Sequence, residues 1–203
     1  QKKTWKAYRD GKSGLVHAPT GTGKTYAVWA PPLLDWMEAN RSDRKARQKL
    51  QVLWLTPLRA LVEDTTRSLC ELVDELEITW TVESRTGDTS GSIKAKQRRS
   101  FPSALVTTPE SLSLLLSYPE TKECFSELQA VVVDEWHELL STKRGSQTEL
   151  CLARLRKWNP NLRTWGLSAT LGNLEEAMAA LIGNQKNGVL IDGDIQKKFV
   201  VKT

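Results

Sequence analysis

The sequence predicts an α/β fold, a parallel sheet with helices on both faces. Three observations predict it. Short apolar, β-branched or aromatic runs alternate with longer helical patterns. A glycine-rich turn joins one such run to a helix. The run Val131–Val133 is apolar at consecutive positions. Alternation of strand and helix builds βαβ units, whose crossovers set the strands parallel. A strand apolar on both parities is one covered on both faces, so Val131–Val133 reads as a central strand.

Each element has its own signal. The strand-like runs are Gly14–Ala18, Gln51–Thr56, Ile78–Ser84, Ala104–Thr107, Gln129–Asp134, Thr164–Ser168 and Gly188–Ile191, most bounded by Gly, Pro, Ser or Asp. A helix opens at Lys24. Leu58–Leu76 is the clearest, with Leu58, Leu61, Val62, Thr65, Leu69, Leu72, Val73 and Leu76 on three- and four-residue steps. Gln147–Trp158 and Asn173–Ile182 follow, the second with Asn173 as N-cap ahead of Glu175 and Glu176. Beyond Gly183 the pattern fades. The expected division is one domain over residues 1–183 and an exit linker over 184–203.

Composition narrows the class. With 203 residues, 26% charged and 39% apolar, the chain has the make-up of a globular domain with a core of its own. No apolar run is long enough to span a membrane, and residues 1–20 hold no signal-peptide core. Cys70, Cys124 and Cys151 are scattered and read as reduced thiols. Two histidines leave little for a His-rich metal centre. A cytoplasmic protein is the expectation. The net charge is +5: residues 1–12, 41–49 and 94–99 carry +4 each, and the rest of the chain −7. Such clusters can neutralise phosphate, or simply be solvated faces. Most of the eight tryptophans read as core, Trp29, Trp36, Trp54 and Trp165 among them.

The chemistry begins at Ala18-Pro-Thr-Gly-Thr-Gly-Lys-Thr25, a P-loop with Ala in first place, set between a strand and a helix. Gly21 and Gly23 let backbone N–H groups turn inward around phosphate, helped by the helix N-terminus, with Thr20 ahead of them and Thr22 between them. Lys24 can reach the β- and γ-phosphates of ATP, and Thr25 can place its hydroxyl on Mg²⁺. The partner carboxylate is Asp134, at the carboxyl end of Val131–Val133. Asp134 would hold Mg²⁺ and Glu135 would orient or deprotonate the attacking water. Spacing alone leaves His137 a structural residue.

With Asp134-Glu135-Trp136-His137 the chain resembles superfamily 2 DExH-box helicases, over almost its whole length. The resemblance implies the first RecA-like P-loop NTPase domain. Gln1, with Trp5 and Gly11, resembles the glutamine motif that reads adenine. Thr56–Leu61, Arg85–Asp88 and Thr107–Leu112 match the family's nucleic-acid motifs, and Ser168-Ala169-Thr170 its motif III. Carried over residue by residue, Pro57, Arg59, Arg85, Thr86, Gly87, Thr108, Pro109 and Glu110 would line a single-strand path. Arg59 and Arg85 are the cations expected at phosphate. His137, Ser168 and Thr170 would couple hydrolysis to strand movement. Longer strings, among them LWLTPLRAL, LVTTPESLSLLLS and VVVDEWHELL, resemble the Lhr (large helicase-related) family, and within it the bacterial ligase-associated branch.

The branch implies an ATP-dependent DNA translocase of 3′-to-5′ polarity, linked to repair, in the bacterial cytoplasm or nucleoid. Single-stranded DNA or a 3′-tailed duplex would be its substrate, and DNA ligase or nuclease enzymes its partners. Nothing matches motifs IV to VI, so a second RecA-like domain and its arginine finger are expected outside these residues. An RNA helicase domain, or a nucleotide-switched nucleic-acid clamp with little ATPase activity, stays open as an alternative. A small-molecule P-loop kinase would leave the motif III and TTPES strings unexplained.

Overall fold

The computed structural model describes residues 1–41, 49–170, 172–183 and 188–193. Their elements run α1 (Lys2–Arg9), β1 (Ser13–His17), α2 (Lys24–Ala39), β2 (Val52–Leu55), α3 (Arg59–Glu75), β3 (Val82–Arg85), α4 (Gly91–Arg99), β4 (Ala104–Thr107), α5 (Pro109–Ser117), α6 (Thr121–Phe125), β5 (Ala130–Val133), α7 (Trp136–Leu139), α8 (Lys143–Trp158), β6 (Arg163–Ser168), α9 (Leu174–Ile182) and β7 (Gly188–Asp192). The sheet has seven strands in the order β3-β4-β2-β5-β6-β1-β7. Every pairing is parallel.

The two-residue period of a strand divides the core. Val16, Val52, Trp54, Val132, Trp165 and Leu167 pack with α1, α2 and α3 on one face. Leu15, Leu53, Leu55, Val131 and Val133 pack with α5 to α9 on the other. Central β5 is fully buried along its length, as its apolar run predicts. Trp29, Trp54, Trp80 and Trp36 form a chain of edge-to-face contacts in the first layer, with ring centroids 5.8 to 6.5 Å apart. No helix among the described residues is long and apolar enough to cross a membrane.

Three expectations need correction. Strand and helix do not alternate strictly, because two helices lie between β4 and β5 and two between β5 and β6. The run from Ile78 is not strand until Val82, since its partner β4 begins only at Ala104, opposite Val82. Ile78 and Trp80 are buried as irregular backbone instead. The residues assigned to an exit linker contain β7, which pairs with β1 from Ser13–Gly188 to His17–Asp192. The sheet therefore extends past residue 183. Residues 184–187 and 194–203 of that linker, and residues 42–48 of the basic segment, lie outside the described residues.

Candidate nucleotide and nucleic-acid site

The loops at the carboxyl edge of the sheet gather the motifs. β1 passes into the glycine-rich turn, and α2 opens at Lys24. Gly21 and Gly23 hold φ of +75° and +79°, a left-handed backbone that glycine adopts without a Cβ clash. A Cβ on Gly23 would also lie 2.7 Å from Gln1 Nε2. The Gln1 amide donates to the Gly23 carbonyl at 3.4 Å, tying α1 to the turn. Thr22 Oγ1 donates to Pro19 O at 2.7 Å. Thr20 is exposed and Thr25 half-buried. The Lys24 ammonium donates to the Ala18 carbonyl. Burial pushes its pKa down, while the charges of Glu135 and Asp134 pull it up.

Strand parity aims the first acid. Ala130 and Val132 enter the core beside α2, so Asp134, next on that parity, faces the same side. Its Oδ2 accepts from Trp54 Nε1 at 3.4 Å and its Oδ1 from the Glu135 N–H at 2.9 Å. Burial, and then the neighbouring Glu135 charge, push its pKa up to about 6, against those two hydrogen bonds and Lys24. A buried carboxylate in that state has a use for a cation.

Glu135 sits at φ 43° and ψ 48°, the left-handed region. Its Oε2 is buried with no hydrogen-bond partner, and lies 3.4 Å from His137 Nδ1. His137 Nδ1 meets Ser168 Oγ at 3.2 Å, and its Nε2 lies 3.3 Å from Glu138 Oε1. Ser168 Oγ also reaches the Thr170 carbonyl at 3.4 Å. β6 stands between β5 and β1 in the sheet, which puts Ser168 between the acidic loop and the P-loop. The residues expected to couple hydrolysis thus lie together, Thr170 through its backbone.

Among the described residues, no group of three or more His, Cys, Asp or Glu is placed to hold a metal alone. Mg²⁺ takes one or two carboxylates together with phosphate oxygens and water. Thr25 and Asp134 at the mouth of the phosphate cradle fit that pattern, and an orphaned carboxylate oxygen stands beside them.

The expected nucleic-acid residues divide. Pro57 is buried at the end of β2. Arg59 is exposed and paired with Asp88 at 3.3 Å. Gly87 is exposed, and Arg59 Nη2 lies 3.0 Å from where its Cβ would be. The Thr86 hydroxyl accepts from the Asp88 N–H at 3.2 Å, closing the loop. Arg85 is a correction. Only 2% exposed, its guanidinium donates to the Lys94 carbonyl at 3.1 Å and to Gln97 Oε1 at 3.4 Å. Strand parity turns it beneath α4, so it supports that helix and does not face a strand of nucleic acid. Thr108 is buried too, its hydroxyl capping α5 at Ser111 N, 3.4 Å away, with Pro109 buried behind it. Glu110 stays at the surface, bonded to Arg144 Nη2 at 3.2 Å.

Sequence reasoning missed two features. The Trp54–Asp134 bond joins neighbouring strands β2 and β5, and only their register brings the two together. Lys94, one of four cations in residues 94–99, reaches back to the Gly87 carbonyl at 2.7 Å. Its signal was the capping serine, Ser90, which starts α4 and sets Lys94 one turn in.

Comparison with known proteins gives the same picture. Residues 1–177 match the family model of the DEAD/DEAH box helicases. The ATP-dependent helicase Lhr-Core of Methanocaldococcus jannaschii is 33% identical over 214 residues, covering 100% of this chain and 25% of its own. The Lhr helicase/probable uracil glycosylase of Mycolicibacterium smegmatis is 36% identical over 197 residues, 90% of this chain and 13% of its own. The chain thus spans a quarter or less of these relatives. The solved structure of Mycobacterium smegmatis helicase Lhr bound to ssDNA and AMP-PNP superposes with a TM-score of 0.78 at 31% identity, over 95% of this chain and 25% of that one. The DEAD-box helicase Mss116 bound to ssRNA and UDP-BeF shares the fold, with a TM-score of 0.80 at 22% identity, over 96% of this chain and 40% of that one. The strand order, the P-loop and the acidic turn after β5 fit that match: the chain belongs to the DEAD/DEAH box helicase family, as a RecA-like domain similar to a part of the Lhr helicases.

Proposed function

We propose that this domain is the ATP-binding half of a DNA translocase of 3′-to-5′ polarity that acts in repair. The observation that carries the motor reading is the joining of Glu135, His137 and Ser168 across β5 and β6, between the P-loop and the nucleic-acid loops. A catalytic carboxylate linked in this way lets the state of the nucleotide be felt at the opposite side of the sheet edge. The DNA reading is supported by the Lhr relative solved with ssDNA and by the strings shared with the ligase-associated branch.

In this reading Lys24 leaves the Ala18 carbonyl for the phosphates of ATP, and Gln1 takes the adenine. Thr25 and Asp134 hold Mg²⁺, which when bound offsets phosphate charge. Glu135 orients the attacking water and accepts its proton. A second RecA-like domain, a partner outside these residues, supplies the arginine finger. Ligase or nuclease enzymes are the partners the branch points to.

The test is unwinding of a 3′-tailed duplex by the full-length native protein, with matched 5′-tailed and RNA strands as competitors. Wild type is expected to unwind only the 3′-tailed DNA with ATP, and Lys24→Ala to lose both binding and unwinding. Unwinding that survives in Lys24→Ala would end the motor reading. Preference for RNA would replace the substrate, and preference for 5′ tails the polarity.

A further inference from the structure

The burial of Arg85 removes one of the two cations expected at phosphate, and the surface above it offers another. Lys94 Nζ donates to the Gly87 carbonyl at 2.7 Å. Arg59 Nη2 lies over the same glycine, 3.0 Å from where a Cβ would be. Two cations from separate helices, α3 and α4, therefore converge on one exposed glycine. The acid on the loop, Asp88, engages Arg59 only through Nη1, at 3.3 and 3.4 Å. That pair is open to solvent, with side chains 57% and 77% exposed, and a pair of this kind gives way to phosphate at little cost. An ammonium has three donors, so Lys94 keeps two beyond the Gly87 carbonyl.

Exposed apolar residues adjoin both cations along the chain. Six large apolar side chains are exposed among the described residues, and two of them, Leu58 at 49% and Ile93 at 47%, immediately precede Arg59 and Lys94. Cations beside exposed apolar side chains match a nucleotide of an unpaired strand, whose phosphate is charged and whose base has an uncovered face. Two of the other three cations of α4 are engaged elsewhere. Lys96 lies 3.8 Å from Glu83, and Arg98 stacks 4.8 Å over the Tyr118 ring.

We propose that Arg59 and Lys94 clamp one phosphate of the single strand over Gly87, and that Leu58 and Ile93 cover the base or sugar attached to it. This rests on the single-strand reading above. Lys94 takes the place that the sequence assigned to Arg85, and Ile93 gives the seat an apolar wall on α4.

The experiment is equilibrium binding of a fluorescein-labelled oligothymidylate to the full-length native protein, by anisotropy over a series of salt concentrations. Removing one phosphate contact lowers the slope of log K against log salt by about 0.7 for a single strand. Lys94→Gln is expected to show that loss, and Lys96→Gln the wild-type slope. Ile93→Ser is expected to bind about fivefold more weakly at every salt concentration, with the slope intact. Binding of an ATP analogue measured in parallel confirms that each variant is folded. A wild-type slope in Lys94→Gln, or equal losses in Lys94→Gln and Lys96→Gln, overturns the seat. Wild type that fails to bind the strand at all overturns the single-strand reading itself.

Discussion

Glu135 holds a left-handed backbone, a conformation that costs a side-chain-bearing residue on the order of 1–3 kcal/mol. The same residue has a buried carboxylate oxygen without a hydrogen-bond partner. Both features are unfavourable for stability and both place the carboxylate at the phosphate cradle. Glu135→Gly is therefore expected to raise the unfolding free energy by about 1 kcal/mol, read from a urea melt, while abolishing ATP hydrolysis. Arg85 is the opposite case. Its side chain serves folding, bonded to the Lys94 carbonyl and Gln97. Arg85→Ala should cost about 1–3 kcal/mol of stability in the same melt, because it removes both bonds and leaves the buried Gln97 Oε1 without a donor. The salt dependence of strand binding should be unchanged. At this scale the sequence located the turn that holds the proposed nucleotide residues, whose spacing within that turn is itself the signal. It misled at Arg85, where a motif fixes position along the chain and the pleat decides which way the side chain turns.

Strands and long helices were legible because their apolar periods run for several residues. β4 was read to the residue, and β1, β2, β5 and β6 within about two residues. Short helices were not. α6 and α7 hold five and four residues, too few for a period to show, and α1 and α4 are so cationic that they read as charged surface. β7 shows the limit of local reading. Its sequence is strand-like, but tertiary pairing with β1 decided that it belongs to the sheet. That pairing depends on Gly14, where a Cβ would stand 2.0 Å from the Val189 carbonyl oxygen. Gly14→Ala is expected to loosen β7 alone. Amide exchange at Val189 to Ile191 should rise at least about tenfold, while β5 keeps its protection.

The whole molecule is a sheet whose two faces are closed by helices and whose carboxyl edge is left to loops. The residues proposed for nucleotide chemistry lie over β1, β6 and β5, and the loops proposed for nucleic acid over β2, β4 and β3, so in this reading the strand order itself separates fuel from track. The proposed arginine finger has no place among the described residues. The 203-residue chain should accordingly hydrolyse ATP at least about a thousandfold more slowly than a longer native protein carrying a second RecA-like domain, measured as strand-stimulated phosphate release. Equal rates would show that the finger is unnecessary.

The tryptophan chain of the first layer ends at Asp134, the carboxylate proposed to hold Mg²⁺. Trp54 donates to Asp134 at 3.4 Å, stands edge-on to Trp29 6.5 Å away, and Trp29 in turn meets Trp80. Indoles this close exchange excitation energy, so light absorbed anywhere along the chain can be emitted from, or quenched at, the ring that touches Asp134. The domain therefore carries a built-in optical reporter of its own chemistry. Adding Mg²⁺ and ATP should shift the intrinsic emission without any label, and Trp54→Phe should silence that response while nucleotide binding persists.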